Sequence, residues 1–213
     1  VSKVYPGDNE VTALRNVNLE FAAGDFVSLE GPSGSGKSTL MNVLGLLDTI
    51  SSGEHFLDDV LVSEANEKER TQIRSSEIGF VFQAYHLLAQ RTAMENVLLG
   101  LLYRDIPPRE RDGLAKTALD LVGLSARALH FPSQMSGGEK QRVAIARAIV
   151  GTPSLLLCDE PTGNLDHENS TSVLRLLREL SDSSMVLVVV THDPSVAQVA
   201  DRHFRVFDGQ VSE

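Results

Sequence analysis

The stretch GPSGSGKST at residues 31–39 follows an apolar run at 26–30 and precedes helically spaced apolar residues at 38–47. A strand that feeds a glycine-rich loop and then a helix lets backbone N–H groups turn inward around phosphate oxygens. Gly31, Pro32 and Ser33 lead into that cradle, and the amides of Gly34, Ser35, Gly36, Lys37 and Ser38 would form it. Lys37 would reach the β- and γ-phosphates, Ser38 would offer its hydroxyl to Mg²⁺, and Thr39 would add a donor near the α-phosphate. The ligand expected from these nine residues is a nucleoside triphosphate with its Mg²⁺.

Outward from the loop, strand and helix alternate. Short apolar or alternating runs predict strands at 11–14, 17–21, 26–30, 55–57, 78–82, 155–158, 185–190 and 204–207, separated by turn clusters such as PGDN (6–9), AAGD (22–25) and SSGE (51–54). Helical spacing predicts helices at 38–47, 93–103, 109–122, 138–150, 168–180 and 195–200. The runs at 155–158 and 185–190 are continuously apolar and flank a helix, as in a parallel sheet buried on both faces. The expected organisation is one unit over 1–213. Its α/β core comes from 1–82 and 136–213, with a helical insertion at 83–135.

Composition sets outer bounds. The chain has 213 residues, 42% of them hydrophobic and 23% charged, enough to fold and bury a core. Its net charge of −10 disfavours non-specific attraction to nucleic acid or anionic lipid. The single cysteine, Cys158, cannot form an internal bridge, and its apolar neighbours imply packing. No apolar run nears the roughly 20 residues a membrane-spanning helix needs, and no basic-then-apolar leader opens the chain, so direct membrane insertion is not expected.

A phosphate loop alone does not separate kinases, GTPases, helicases and transport ATPases. The run LLLCDEP at 155–161 narrows the choice, because it ends an apolar strand in two adjacent carboxylates. Asp159 would orient Mg²⁺, and Glu160 would act as general base on the attacking water.

The run MSGGEKQRVAIARA at 135–148 resembles the signature segment of ABC ATPases. Ser136, Gly137, Gly138 and Glu139 open a helix there, presenting amides, a hydroxyl and the positive dipole end to an anion. The resemblance implies that this turn contacts the γ-phosphate held by a second copy, so that a homodimer carries two composite sites. It also implies that NLD at 164–166 crosses that interface through Asp166. Gln83 matches the residue that reaches Mg²⁺ and senses the membrane partner, His192 the residue that contacts the γ-phosphate, and Tyr5 the aromatic that stacks on adenine. The implied fold is that of an ABC ATPase: a RecA-like, mostly parallel core with an N-terminal antiparallel β-subdomain and a helical subdomain.

Segments 45–54, 78–88, 92–101 and 159–166 are similar to the subfamily of lipoprotein-releasing, macrolide-exporting, haem-exporting, antimicrobial-peptide-resistance and cell-division ATPases, GNLD being the best discriminator. That likeness implies a permease with four transmembrane helices and a place on the cytoplasmic face of the membrane. Residues 83–104, including Tyr85, Leu87, Leu88 and Met94, would form the groove for the permease's cytoplasmic helix. Two other classes stay open: a signalling ATPase that gates an extracytoplasmic enzyme, and a soluble ABC ATPase working without a permease.

Overall fold

A computed structural model describes residues 1–7, 10–181, 185–193, 196 and 198–213. The core is a six-stranded sheet in the order β10-β9-β3-β8-β7-β6, made of β3 (Phe26–Glu30), β6 (Ile78–Phe82), β7 (Leu155–Asp159), β8 (Val186–Val190), β9 (Arg202–Phe207) and β10 (Gln210–Ser212). All neighbours are parallel except the β9–β10 hairpin. Two small antiparallel pairs stand apart, β1 (Lys3–Tyr5) with β2 (Val11–Leu14) and β4 (Phe56–Leu57) with β5 (Val60–Leu61).

Each central strand is buried on both faces, and its side chains divide between two apolar clusters. Leu155, Leu157, Val188, Val190, Val27 and Leu29 pack on one side with Leu40, Met41 and Val43 of α1 (Lys37–Leu44). Leu156, Cys158, Leu187, Val189 and Phe26 pack on the other. Their partners there come from α3 (Ala93–Leu98), α4 (Pro108–Leu121), α5 (Gly137–Ile149) and α6 (His167–Ser181). Period-two alternation with both faces apolar is what a parallel sheet between helical layers requires. Cys158 is fully buried, and burial pushes its thiol far up from the ordinary cysteine range, so it packs rather than reacts.

Three expectations need correction. Residues 17–21 form no strand: Val17 exchanges hydrogen bonds with Val1 alone, at 2.6 and 2.8 Å. Val17, Leu19 and Phe21 join the α1-side cluster all the same. A helix not foreseen in the sequence, α2 (Glu67–Glu77), precedes β6, and β1, β5 and β10 are likewise additional. The helix at 93–103 ends at Leu98 and continues as a 3₁₀ turn over Leu99–Leu101. The turn at 6–9 and the helix at 195–200 fall in part outside the described residues.

Candidate functional site

Pairing register brings the site together. Phe82, Asp159, Val190 and Leu29 lie in one row across four parallel strands, so Gln83, Glu160, Thr191 and the phosphate loop all leave the sheet at the same carboxyl edge. That edge is where open α/β sheets bind ligands.

The loop's shape rests on glycines that nothing else could replace. Gly36 sits at φ 107°, and a Cβ there would meet the Ala13 carbonyl at 2.6 Å; one at Gly31 would meet the Val206 carbonyl at 2.1 Å. Gly209 N–H donates to the Ser35 carbonyl at 2.9 Å, tying the loop to the β9–β10 turn. The Ser35 hydroxyl is buried without a partner, a polar atom that a phosphate-binding loop can turn to use.

Helix α1 opens on Gly36 with no side-chain cap and no acidic residue in its first turn. By contrast α2, α3 and α5 each carry a capping box, from Asn66/Glu69, Thr92/Glu95 and Ser136/Glu139. The orphan N–H groups at the start of α1 are therefore left for an anion. Lys37 curls back over them, its Nζ donating to the carbonyls of Gly31 (2.7 Å) and Pro32 (2.8 Å). Ser38 is exposed and Pro32, Ser33 and Gly34 form the rim.

Asp159 is partly buried, and desolvation, reinforced by the neighbouring Glu160 charge and opposed by Lys37, holds its carboxyl above the usual aspartate range. Glu160 takes the left-handed conformation (φ 47°), its N–H bonding the Val190 carbonyl at 2.9 Å. Its carboxylate meets His192 Nδ1 at 2.6 Å and accepts from Thr191 Oγ1 at 3.4 Å. His192 is otherwise exposed, with 76% of its side chain open to solvent, so its ring can meet both Glu160 and a ligand. Gln83 and Asn164 are cross-linked: Gln83 Nε2 donates to Asn164 Oδ1 (3.3 Å) and Asn164 Nδ2 to the Gln83 carbonyl (2.9 Å).

Tyr5 is held beside α1. Its hydroxyl donates to Asp48 at 2.7 Å and has Thr39 as a second neighbour, while Lys3 Nζ lies over its ring at 4.8 Å. Ser136, Gly137, Gly138 and Glu139 form the first turn of α5, where Ser136 N–H donates to Glu139 (2.8 Å) and Glu139 N–H to Ser136 Oγ (3.2 Å). Gly138 leaves no room for a side chain against Asn169. Asp166 is exposed and caps α6, accepting from Asn169 N–H at 2.9 Å.

Thr191, Asn164 and Asp48 are the contributors not foreseen in the sequence. A Thr directly before the histidine and an Asn inside GNLD were the available signals. A groove of about 850 Å³ opens elsewhere, beside Val1, Phe56 and the starts of β7 and β8. It lies at the opposite end of the parallel strands and holds none of the motif residues.

The profile of the ABC transporter family matches residues 14–163. The chain is 45% identical over its full length to a lipoprotein-releasing system ATP-binding protein, LolD 2 of Rhodopirellula baltica, spanning 87% of that protein. It is 44% identical over 97% of its length to the macrolide export ATP-binding/permease protein MacB of Marinobacter nauticus, but spans only 32% of it. A solved dimeric, post-hydrolysis structure of the ATP-binding cassette MJ0796 with ADP and Pi superposes with a TM-score of 0.87 at 41% identity, covering 100% of this chain and 94% of that one. With motif order, sheet topology and full-length likeness in agreement, the chain belongs to the ABC transporter family as an ATP-binding cassette.

Proposed function

We propose that this cassette hydrolyses ATP in a head-to-tail homodimer and so drives a membrane permease. The observation that carries the reading is the convergence at one sheet edge of an uncapped, glycine-shaped helix start with the Glu160–His192 pair at 2.6 Å. Residues 31–39 take the triphosphate, Lys37 exchanging its bonds to the loop carbonyls for phosphate oxygens, and Tyr5 offers a ring to the adenine. Glu160 accepts a proton from the attacking water while His192 orients both the carboxylate and the γ-phosphate; the bond from phosphorus to the ADP oxygen breaks as the bond to water forms.

The donors fit Mg²⁺, a hard cation usually bound through one or two carboxylates plus substrate phosphates. Asp159, Ser38 and Gln83 supply only oxygen ligands. Among the described residues no group of three His, Cys, Asp or Glu side chains forms a cage of its own, so the ion would come with the nucleotide. It would neutralise charge on the β- and γ-phosphates, and it would offset the cost that burial imposes on the Asp159 charge.

Ser136, Gly137, Gly138 and Glu139 of one copy would close over the γ-phosphate of the other, with Asp166 at the crossing. The dimeric MJ0796 structure supports that arrangement. The fusion of ATP-binding and permease functions in MacB supports a permease partner. By the subfamily resemblance that partner would be of the four-helix kind with an extracytoplasmic domain. No described helix is long and apolar enough to cross a membrane. The cassette would attach at the cytoplasmic face through its permease. The substrate class that fits this subfamily is hydrophobic or amphiphilic.

Replacing Glu160 by Gln tests the chemistry. Binding of ATP should be kept and a closed dimer should accumulate on size exclusion, while turnover falls by about 10²-fold or more. Near-parental hydrolysis would remove Glu160 from the role of base.

A further inference from the structure

The geometry points to Arg147 as a positioning residue: from the signature helix it clamps the loop that carries Gln83, and so sets where the Gln83 side chain stands. Its Nη1 donates to the His86 carbonyl at 2.5 Å and its Nη2 to the Tyr85 carbonyl at 2.8 Å. Two consecutive carbonyls face one fork because Tyr85 (φ 60°) and His86 (φ 48°) both adopt the left-handed conformation, which residues other than glycine seldom enter. Among the described residues Arg147 makes no ion pair with a carboxylate. Its partly desolvated charge is spent on these two carbonyls.

The clamp stands on a fixed base. A side chain at Gly100 would meet the Arg147 carbonyl at 2.2 Å, and one at Gly79 would meet the Ala148 carbonyl at 2.7 Å. The backbone at 147–148 is thus wedged between the 3₁₀ turn after α3 and β6. The far end of the loop is tied as well. Fully buried Asn96 accepts from Leu88 N–H at 2.8 Å and donates to the Leu88 carbonyl at 3.2 Å. Ahead of these ties Gln83 reaches Asn164, and the Tyr85 hydroxyl lies 3.2 Å from where a Cβ on Gly137 would stand. The loop therefore touches the 163–166 turn and the signature turn while one arginine of the signature helix holds its middle.

A lysine at 147 would keep the charge but lose the fork, and the apolar face of α5, with Val143, Ile145 and Ile149 buried, would remain packed. This inference rests on the reading of Gln83 as a Mg²⁺ contact, and the test separates the two. Hydrolysis by the whole chain is measured against Mg²⁺ at fixed ATP for the parent, Q83A, R147K and Q83A/R147K. Affinity for a fluorescent ATP analogue in EDTA, thermal unfolding and hydrogen exchange are measured in parallel.

Both single variants should raise the half-saturating Mg²⁺ concentration by about 10-fold, as loss of a supporting partner does, and the double variant should go no further. R147K should keep the parental unfolding temperature and affinity in EDTA, and lose amide protection only within 83–88. Additive effects in the double variant, or a parental Mg²⁺ profile in R147K beside an impaired Q83A, would overturn the clamp while leaving Gln83 in its role. A parental profile in Q83A would remove Gln83 from the ion, and the clamp's function with it. If R147K fails the unfolding control, R147Q is read in the same way.

Discussion

At the scale of single residues, Asp159 shows how a binding site stores a cost. Burial and the adjacent Glu160 raise its carboxyl above the ordinary range, so the folded chain holds this proton more tightly than the unfolded one. As pH rises through the window between the ordinary and the raised value, the unfolded state loses the proton first. Stability therefore falls across that window and stays lower above it. An Asp159→Asn variant removes the titration. At neutral pH without nucleotide it should melt about 1–3 °C higher than the parent, and the difference should vanish below the ordinary carboxylate range. It should also lose most Mg²⁺-dependent hydrolysis. Thermal unfolding across a pH series checks the sign, and a lower melting temperature at neutral pH would refute it. The phosphate loop and the Asp159–Glu160 pair stood out because their spacing points to phosphate and Mg²⁺ chemistry, whereas Gln83, His192, Tyr5 and Asp166 stood out only through the family resemblance. Arg147 and Asn96 were not, since their partners are backbone carbonyls 61 and 8 positions away, and no spacing in the sequence marks them.

At the scale of elements, local signals and tertiary ones part company. Strands β3, β6, β7 and β8 were readable because a strand buried on both faces reads as a near-continuous apolar run, interrupted within β3 only by Ser28. Helix α2 was missed because it buries none of its residues and has no apolar face. Its only local sign was the capping pair Asn66 and Glu69. Residues 17–21 erred the other way: side chains alternate as in a strand, but the backbone has no strand partner among the described residues.

The start of α5 joins both kinds of information. Glu139 closes the capping box, and the Ser136 N–H it accepts from, helped by Arg127 at 3.1 Å, holds its carboxyl below the usual range. The same charge lies where a partner's γ-phosphate is proposed to dock. Glu139→Gln keeps an acceptor for the cap and removes the charge. The ATP concentration for half-maximal rate should therefore fall by about 2–5-fold, the size of a single charge at a helix terminus. A rise would place Glu139 on the attractive side of the interface. Residues 83–104 carry a related lesson. Leu87 and Met94 pack into the core, whereas Leu88 is 49% exposed. Leu88→Ser alone should then weaken permease-stimulated hydrolysis and spare the basal rate; stimulation equal to the parent's would remove Leu88 from the permease groove.

At the scale of the whole molecule, the fold puts the two helix starts proposed to face phosphate in different places. The start of α1 continues the sheet edge, while the start of α5 follows the helical segment 83–135 and is held by its own capping box. If each chain closed its own site, damage to either turn would be confined to that chain, and no mixture of damaged chains could recover. A head-to-tail dimer behaves otherwise, because its two-fold axis sets the phosphate loop of each copy against the signature turn of the other. Lys37→Ala disables the phosphate loop. Ser136→Asp keeps a good cap on α5 but sets a carboxylate against the partner's phosphate. Each variant alone should be inactive. When equal amounts are mixed and allowed to exchange before ATP is added, half of the dimers pair one of each. In such a pair one site combines both lesions and the other combines neither. Activity should return to about a quarter of the parent's per chain, the share of intact sites that random pairing of two copies leaves. It should also fall on dilution as dimers dissociate. A mixture as silent as its components would mean that each chain completes its own site, and that the signature turn does not work across a dimer.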